Sequence, residues 1–316
     1  MKLFTTWHIF CLLFLFELGT SVVLGFGGSA KQDAWIVAAV STLLGCGLIW
    51  MYTKLFEWYP DKNWTSLLIS IFGRFFGNLA AFIYILFFIY NAARDLRDFG
   101  ELMSNFILPQ TPLGFIMFFF LILISYACFA GVERLSLLAE ISIAPVLLFL
   151  TVQFVLLVMS GVLQFSLLAP IASNWKRIAT TAFPLGVTVP FGEVLAFASF
   201  WTAVQPNILR KAMIFSSLSV GVILVLLDVF AISALGPAMY SRSFYPLLST
   251  FQLISIGDFI DNLDPLAVTN FLIGGLFKIT VLTYAACSGI AEQCKIANHR
   301  IVILPIVILI WFLAFL

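Results

Sequence analysis

Apolar residues run along this 316-residue chain in long blocks separated by short polar turns, without the strict alternation of a half-buried strand. A membrane helix needs about 20 mostly apolar residues. By that measure the pattern predicts nine spans, at about 7–30, 34–57, 77–104, 113–132, 139–163, 183–205, 211–236, 266–291 and 301–316. Tyr59 to Gly77 mixes Pro60, Asp61, Lys62, Asn63 and Arg74 with apolar residues, the pattern of a short interfacial helix. Gln164 to Thr181, with Trp175, Lys176 and Arg177, reads as an amphipathic connection, and Ala238 to Asp264 as a long external loop.

Two of the blocks interrupt themselves. In FPLGVTVPFGE, Pro184, Gly186, Pro190 and Gly192 precede Glu193, and the chain then recovers into the helical, apolar VLAFASFWTAV. The first block breaks at Leu18-Gly19-Thr20-Ser21 and again at Gly25, Gly27 and Gly28. Proline removes a backbone donor and glycine tolerates an unwound backbone. In hydrocarbon such freed groups survive only where they are buried in protein or line a polar cavity. A pair of interrupted helices in corresponding positions of two halves points to a transporter-type binding site between them. The expectation is therefore an all-α polytopic membrane protein, one transmembrane domain over 1–316, built as an inverted repeat with broken first and sixth helices. The first repeat covers about 7–163 and the second about 183–316. The second is short of a tenth span, since two five-helix repeats need ten and the sequence ends on WFLAFL.

Composition removes other classes. The chain is 62% hydrophobic and 10% charged, with a mean hydropathy of +1.11, far from a soluble domain. A net charge of +1 without a basic run gives no hold on nucleic acid. Cys11, Cys46, Cys128, Cys287 and Cys294 are scattered, and His8 and His299 lie far apart, so neither a disulfide framework nor a metal set is expected. No Ser-His-Asp arrangement or P-loop occurs, and neither catalysis nor a cofactor is expected. The first block is too long for a signal peptide and has no A-x-A-like site after it. With the N-terminus in the cytoplasm, Lys2, Lys54, Lys62, Arg74, Arg134, Arg210, Lys211, Lys295 and Arg300 fall inside, against Lys31, Arg94, Arg97, Lys176, Arg177 and Arg242 outside.

Candidate chemistry gathers at the breaks. Gly19, Thr20 and Ser21 offer amides and hydroxyls to an anion at a half-helix N-terminus, or else mark close helix packing. Gly192 and the carbonyls of Val189 to Phe191 form the matching wall, since Pro190 leaves a carbonyl one turn earlier without its partner. A carboxylate at mid-membrane costs about 2.5–3.5 kcal/mol on insertion scales. Glu193 therefore needs either a ligand ammonium or a structural bridge to Lys278 in the eighth span, and the two make a candidate ion or charge site. Tyr90 and Asn91 are weaker candidates in the third span. Glu17 and Asp228 are further membrane carboxylates, the latter without an evident partner, while Arg94, Asp95, Arg97 and Asp98 read as a solvated helix end with local ion pairs.

The run KQDAWIVAAVSTLLGCGLIWMYTKL, the turn RDLRDFGELM with LPQTP after it, PFGEVLAF, and FYPLLSTFQLISIGDFIDNLD resemble, in content and spacing, the GerAB-type spore germination family. These are the B subunits of germinant receptors, placed in the amino acid–polyamine–organocation superfamily. The resemblance implies an amino-acid-transporter-like fold with a small germinant, such as an amino acid, bound near its middle. It also implies A and C partner subunits, a place in the spore inner membrane, and ion and later dipicolinate release on germinant binding. Thr280 and Tyr284, one helical turn apart, resemble the family's eighth-helix germinant contacts, with interhelical hydrogen bonding as the plainer reading. Lys278 would then occupy the place where relatives of the superfamily bind sodium. An amino-acid permease remains the rival reading.

Overall fold

Thr5 opens the first helix as a capping box: its hydroxyl accepts the His8 amide at 3.2 Å, and His8 faces the Thr5 amide in return. The computed structural model describes residues 5–25, 27–254 and 264–316, and every regular element among them is helical. Helix α1 (Thr6–Leu18) is buried on all sides from Ile9 to Leu18. A helix that is apolar all round belongs in the interior. The others surround it: α2 (Ser21–Leu24), α3 (Ala34–Trp58), α4 (Trp64–Phe106), α5 (Leu113–Ala130), α6 (Val132–Met159), α7 (Trp175–Thr181), α8 (Pro206–Arg242), α9 (Pro246–Phe251), α10 (Asp264–Gln293) and α11 (Arg300–Leu313).

Among the described residues, six helical stretches are long and apolar enough to cross a membrane: Gly28–Trp58, Trp64–Phe106, Leu113–Ala130, Val132–Met159, Ile208–Arg242 and Pro265–Gln293. Helices α1 and α11 are apolar but shorter. The outer face carries exposed Phe75, Phe76, Phe119, Tyr126 and Ile141, as a lipid-facing surface should. Helix α1 packs on α8, α6 and α10, and α10 also lies along α4.

Where the chain departs from the expected pattern, glycine and proline explain most of it. The interfacial segment is helical over 64–72 and turns sharply at Gly73, whose φ of 77° suits only glycine. Helix α8 does not stop at Gly236-Pro237. It bends there, with φ of 76° at Gly236, and continues to Arg242 into what reads in sequence as loop. The buried Asp228 lies before that bend and Tyr240 after it, and the Tyr240 hydroxyl donates to Asp228 at 2.6 Å. Ile256-Gly257-Asp258 lies outside the described residues. The broken sixth segment recovers as a 3₁₀ helix, Gly192–Ala203, instead of an α-helix. At one end of the bundle, Asp33 accepts from the Ala172 amide (2.7 Å) and the Ser173 hydroxyl (3.3 Å), tying α3 to the connection before α7. At the other, Glu57 pairs with Lys54 at 2.9 Å and with Arg210.

The break between α1 and α2 is set by backbone contact. A Cβ added at Gly274 would lie 2.7 Å from the Gly19 Cα, so α10 and the end of α1 touch without side chains between them. Gly275 has open space on its Cβ side. Gly274→Ala is expected to destabilise the protein by about 1–3 kcal/mol, the usual range for overpacking. Gly275→Ala should leave stability unchanged or raise it, and thermal unfolding in detergent of both variants checks the contrast.

Candidate functional site

Each element at the centre contributes one or two polar groups, and the local fold dictates which. The 3₁₀ turn beginning at Gly192 carries Glu193 inward with Ala196 and Phe197, all fully buried. On α4, Phe88, Ala92, Asp95, Leu96 and Phe99 share the buried face, so Asp95 points into the bundle one turn beyond Ala92. Lys278 on α10 is fully buried as well. At the α1–α2 break, Thr20 and Ser21 are buried, and Gly19 leaves just enough room for the lysine stem: a Cβ there would lie 3.1 Å from Lys278 Cδ.

These groups converge on the Lys278 ammonium. Its Nζ lies 2.8 Å from Glu193 Oε2 and 3.5 Å from Asp95 Oδ2, and donates to Thr20 Oγ1 at 3.1 Å. Arg94 closes the cluster, 3.5 Å from Asp95 Oδ1 and 3.9 Å from Glu193 Oε1. Two carboxylates and two cations sum to zero charge. Arg94 is the partly exposed member, at 36%, and marks the open side of a site whose other charges are sealed. Ser21 Oγ and Glu193 Oε1 are buried without a hydrogen-bond partner among the described residues, which leaves a donor and an acceptor facing inward.

The sequence candidates divide accordingly. Gly19, Thr20, Glu193 and Lys278 come together, with Ser21 buried beside Thr20, and Glu193 is bridged to Lys278, one of the two arrangements expected for it. Gly192 adjoins them, but the side where a Cβ would stand faces Val187, Thr188 and Leu48. Thr280 is buried, and its hydroxyl has no partner among the described residues. Tyr284 lines a different cavity, nearer the end of the bundle where α1 begins. Tyr90 is a correction: it is 64% exposed on the outer face of α4, because the helix turns its neighbours Phe88, Asn91 and Ala92 inward instead. In the charged stretch at 94–98 the local ion pairs are present, Arg97 with Glu101 at 2.7 Å and Arg94 with Asp95 at 3.5 Å, but Asp95 is not solvated: it is fully buried in the central cluster. The spacing of Asp95 from Phe88, Ala92 and Phe99 was the available signal. Glu17, fully buried in α1, accepts from Ser217 at 2.5 Å, and its other oxygen has no partner among the described residues. Asp228 finds its partner in Tyr240, across the bend of α8.

The family model of spore germination proteins, labelled spore permease, matches residues 3–316. Spore germination protein KB of Bacillus subtilis is 31% identical over 294 residues, 92% of this chain and 79% of its own length. Putative spore germination protein YfkT of the same organism is 25% identical, covering 83% of this chain and 72% of its own. Spore germination protein XB of Bacillus anthracis is also 25% identical, over 86% and 75%.

Charge balance at the cluster generates a stability prediction. Removing one partner of a buried pair costs about 3–5 kcal/mol, while removing both can be near neutral. Lys278→Met is expected to destabilise by that amount, since it leaves Glu193 and Asp95 with Arg94 alone. Adding Glu193→Gln to it should recover most of the loss, leaving the Arg94–Asp95 pair intact. Unfolding of the two single variants and the double one in detergent measures the coupling.

Proposed function

This chain belongs to the spore germination protein family, and from that membership we propose that it is the B-type membrane subunit of a germinant receptor, binding a small germinant at the central cluster. The observation that carries the reading is the neutral set of paired charges, three of them fully buried and Arg94 at the open side, at the point where two helices are interrupted. An amino acid brings the same two charges. Its ammonium can meet Glu193 Oε1, which has no hydrogen-bond partner among the described residues, with the Lys278 bridge kept on Oε2. Its carboxylate can meet Arg94 and the hydroxyls of Thr20 and Ser21. The fold under this reading is the inverted repeat with broken first and sixth helices. The N-terminus lies in the cytoplasm, the protein sits in the spore inner membrane, and it performs no catalysis. Germinant occupancy biases two packings of the helices by its differential affinity for them, and A and C subunits read the shift.

The permease label of the matching family favours a second reading, an amino-acid transporter that rocks one bundle against the other. One experiment separates them. Labelled amino acids are offered to the purified protein in sealed liposomes, beside Glu193→Gln and Arg94→Gln variants. A receptor gives saturable retention without accumulation over time, reduced at least tenfold in both variants. Accumulation over time supports transport, and retention unchanged in both variants removes the cluster as the binding site.

A further inference from the structure

At the end of the bundle where α1 begins, an open cavity of about 390 Å³ lies away from the central cluster. Gly131, Glu133 and Arg134 line it from the α5–α6 turn, Tyr284 from α10, Arg300 from α11 and Phe200 from the 3₁₀ segment. Both arginines are exposed, and among the described residues neither has a carboxylate within 4.0 Å, whereas Arg94, Arg97 and Arg210 are paired. With Glu133, the ionic side chains on the wall sum to +1. The Tyr284 ring is held edge-on by His299, at 5.2 Å between centroids. Burial and the adjacent Arg300 hold the His299 imidazole below its ordinary range. Helices α6 and α11 both start at this wall, α6 without a side-chain cap and α11 with the Arg300 amide donating to the Asn298 side-chain oxygen at 3.0 Å, so the positive ends of two dipoles point at the same cavity.

An anion with several acceptor oxygens suits two guanidinium groups. A cavity of this size takes a ligand larger than a bare ion. Position narrows the class further, because basic pockets between membrane helices near the interface receive lipid headgroups. We infer that this cavity is a phosphate-binding site, occupied by the phosphate of an anionic lipid headgroup or by the same group free in solution. Arg134 and Arg300 hold the phosphate oxygens and the Tyr284 hydroxyl donates to one of them. The assignment is independent of the germinant reading, since none of these three side chains belongs to the central cluster.

The test uses the full chain in neutral detergent with radiolabelled phosphatidylglycerol. Arg134→Ala/Arg300→Ala is expected to lower the retained lipid at least tenfold, Tyr284→Phe by a smaller factor, and Lys295→Ala, an exposed cation outside the cavity, not at all. Diacylglycerol, which lacks the phosphate, should be retained equally by all of these proteins. Millimolar inorganic phosphate that displaces the label makes the free anion an equal occupant; label that stays makes the headgroup the occupant. Equal retention of phosphatidylglycerol by the wild type and the double alanine variant overturns the assignment. Matching unfolding temperatures keep that comparison free of misfolding.

Discussion

The pairing of Lys278 with Glu193 is the constraint on which the interior depends. A lysine and a glutamate without water around them are tolerable only if each is neutralised by close geometry. That requirement fixes the height of α10 against the 3₁₀ segment, and through Thr20 and Asp95 it fixes both against the α1–α2 break and α4. Four elements are thus located by one ammonium group. The apolar residues around it, Phe16, Phe197 and Phe277 among them, fill the space this arrangement leaves.

Glycine works alongside charge. At Gly19 and Gly274 the backbones of α1 and α10 touch, and only that approach brings the lysine stem under the break. Packing and electrostatics are therefore not separable here: moving the helices apart by one methyl group also changes the distance from the ammonium to its partners.

Much of this was legible in the sequence. Block length and composition pointed to membrane helices, and proline and glycine spacing located both interruptions. Glu193 and Lys278 stood out because a charge in an apolar block needs a partner. The finer errors share a physical cause. Asp95 looked solvated because three other charges stand within a few residues of it, and only the phase of α4 distinguishes it from Arg97. Tyr90 faces outward by the same phase, one position from the inward-facing Asn91. The 3₁₀ form of 192–203 and the continuation of α8 past Gly236-Pro237 are outcomes of tertiary packing, which local propensity does not encode.

The bend in α8 links parts of the molecule that look separate. Tyr240 reaches back across it to Asp228, and the same hydroxyl stands where a side chain on Gly25, just beyond α2, would have to go, at 3.0 Å. Pro246, at the start of α9, presses on that glycine from the other side, also at 3.0 Å. The phenol therefore acts as a clasp between the hinge of one helix and the interruption of another. The bend of one helix and the interruption of another thus share a packing contact, and the position of the phenol is set by both.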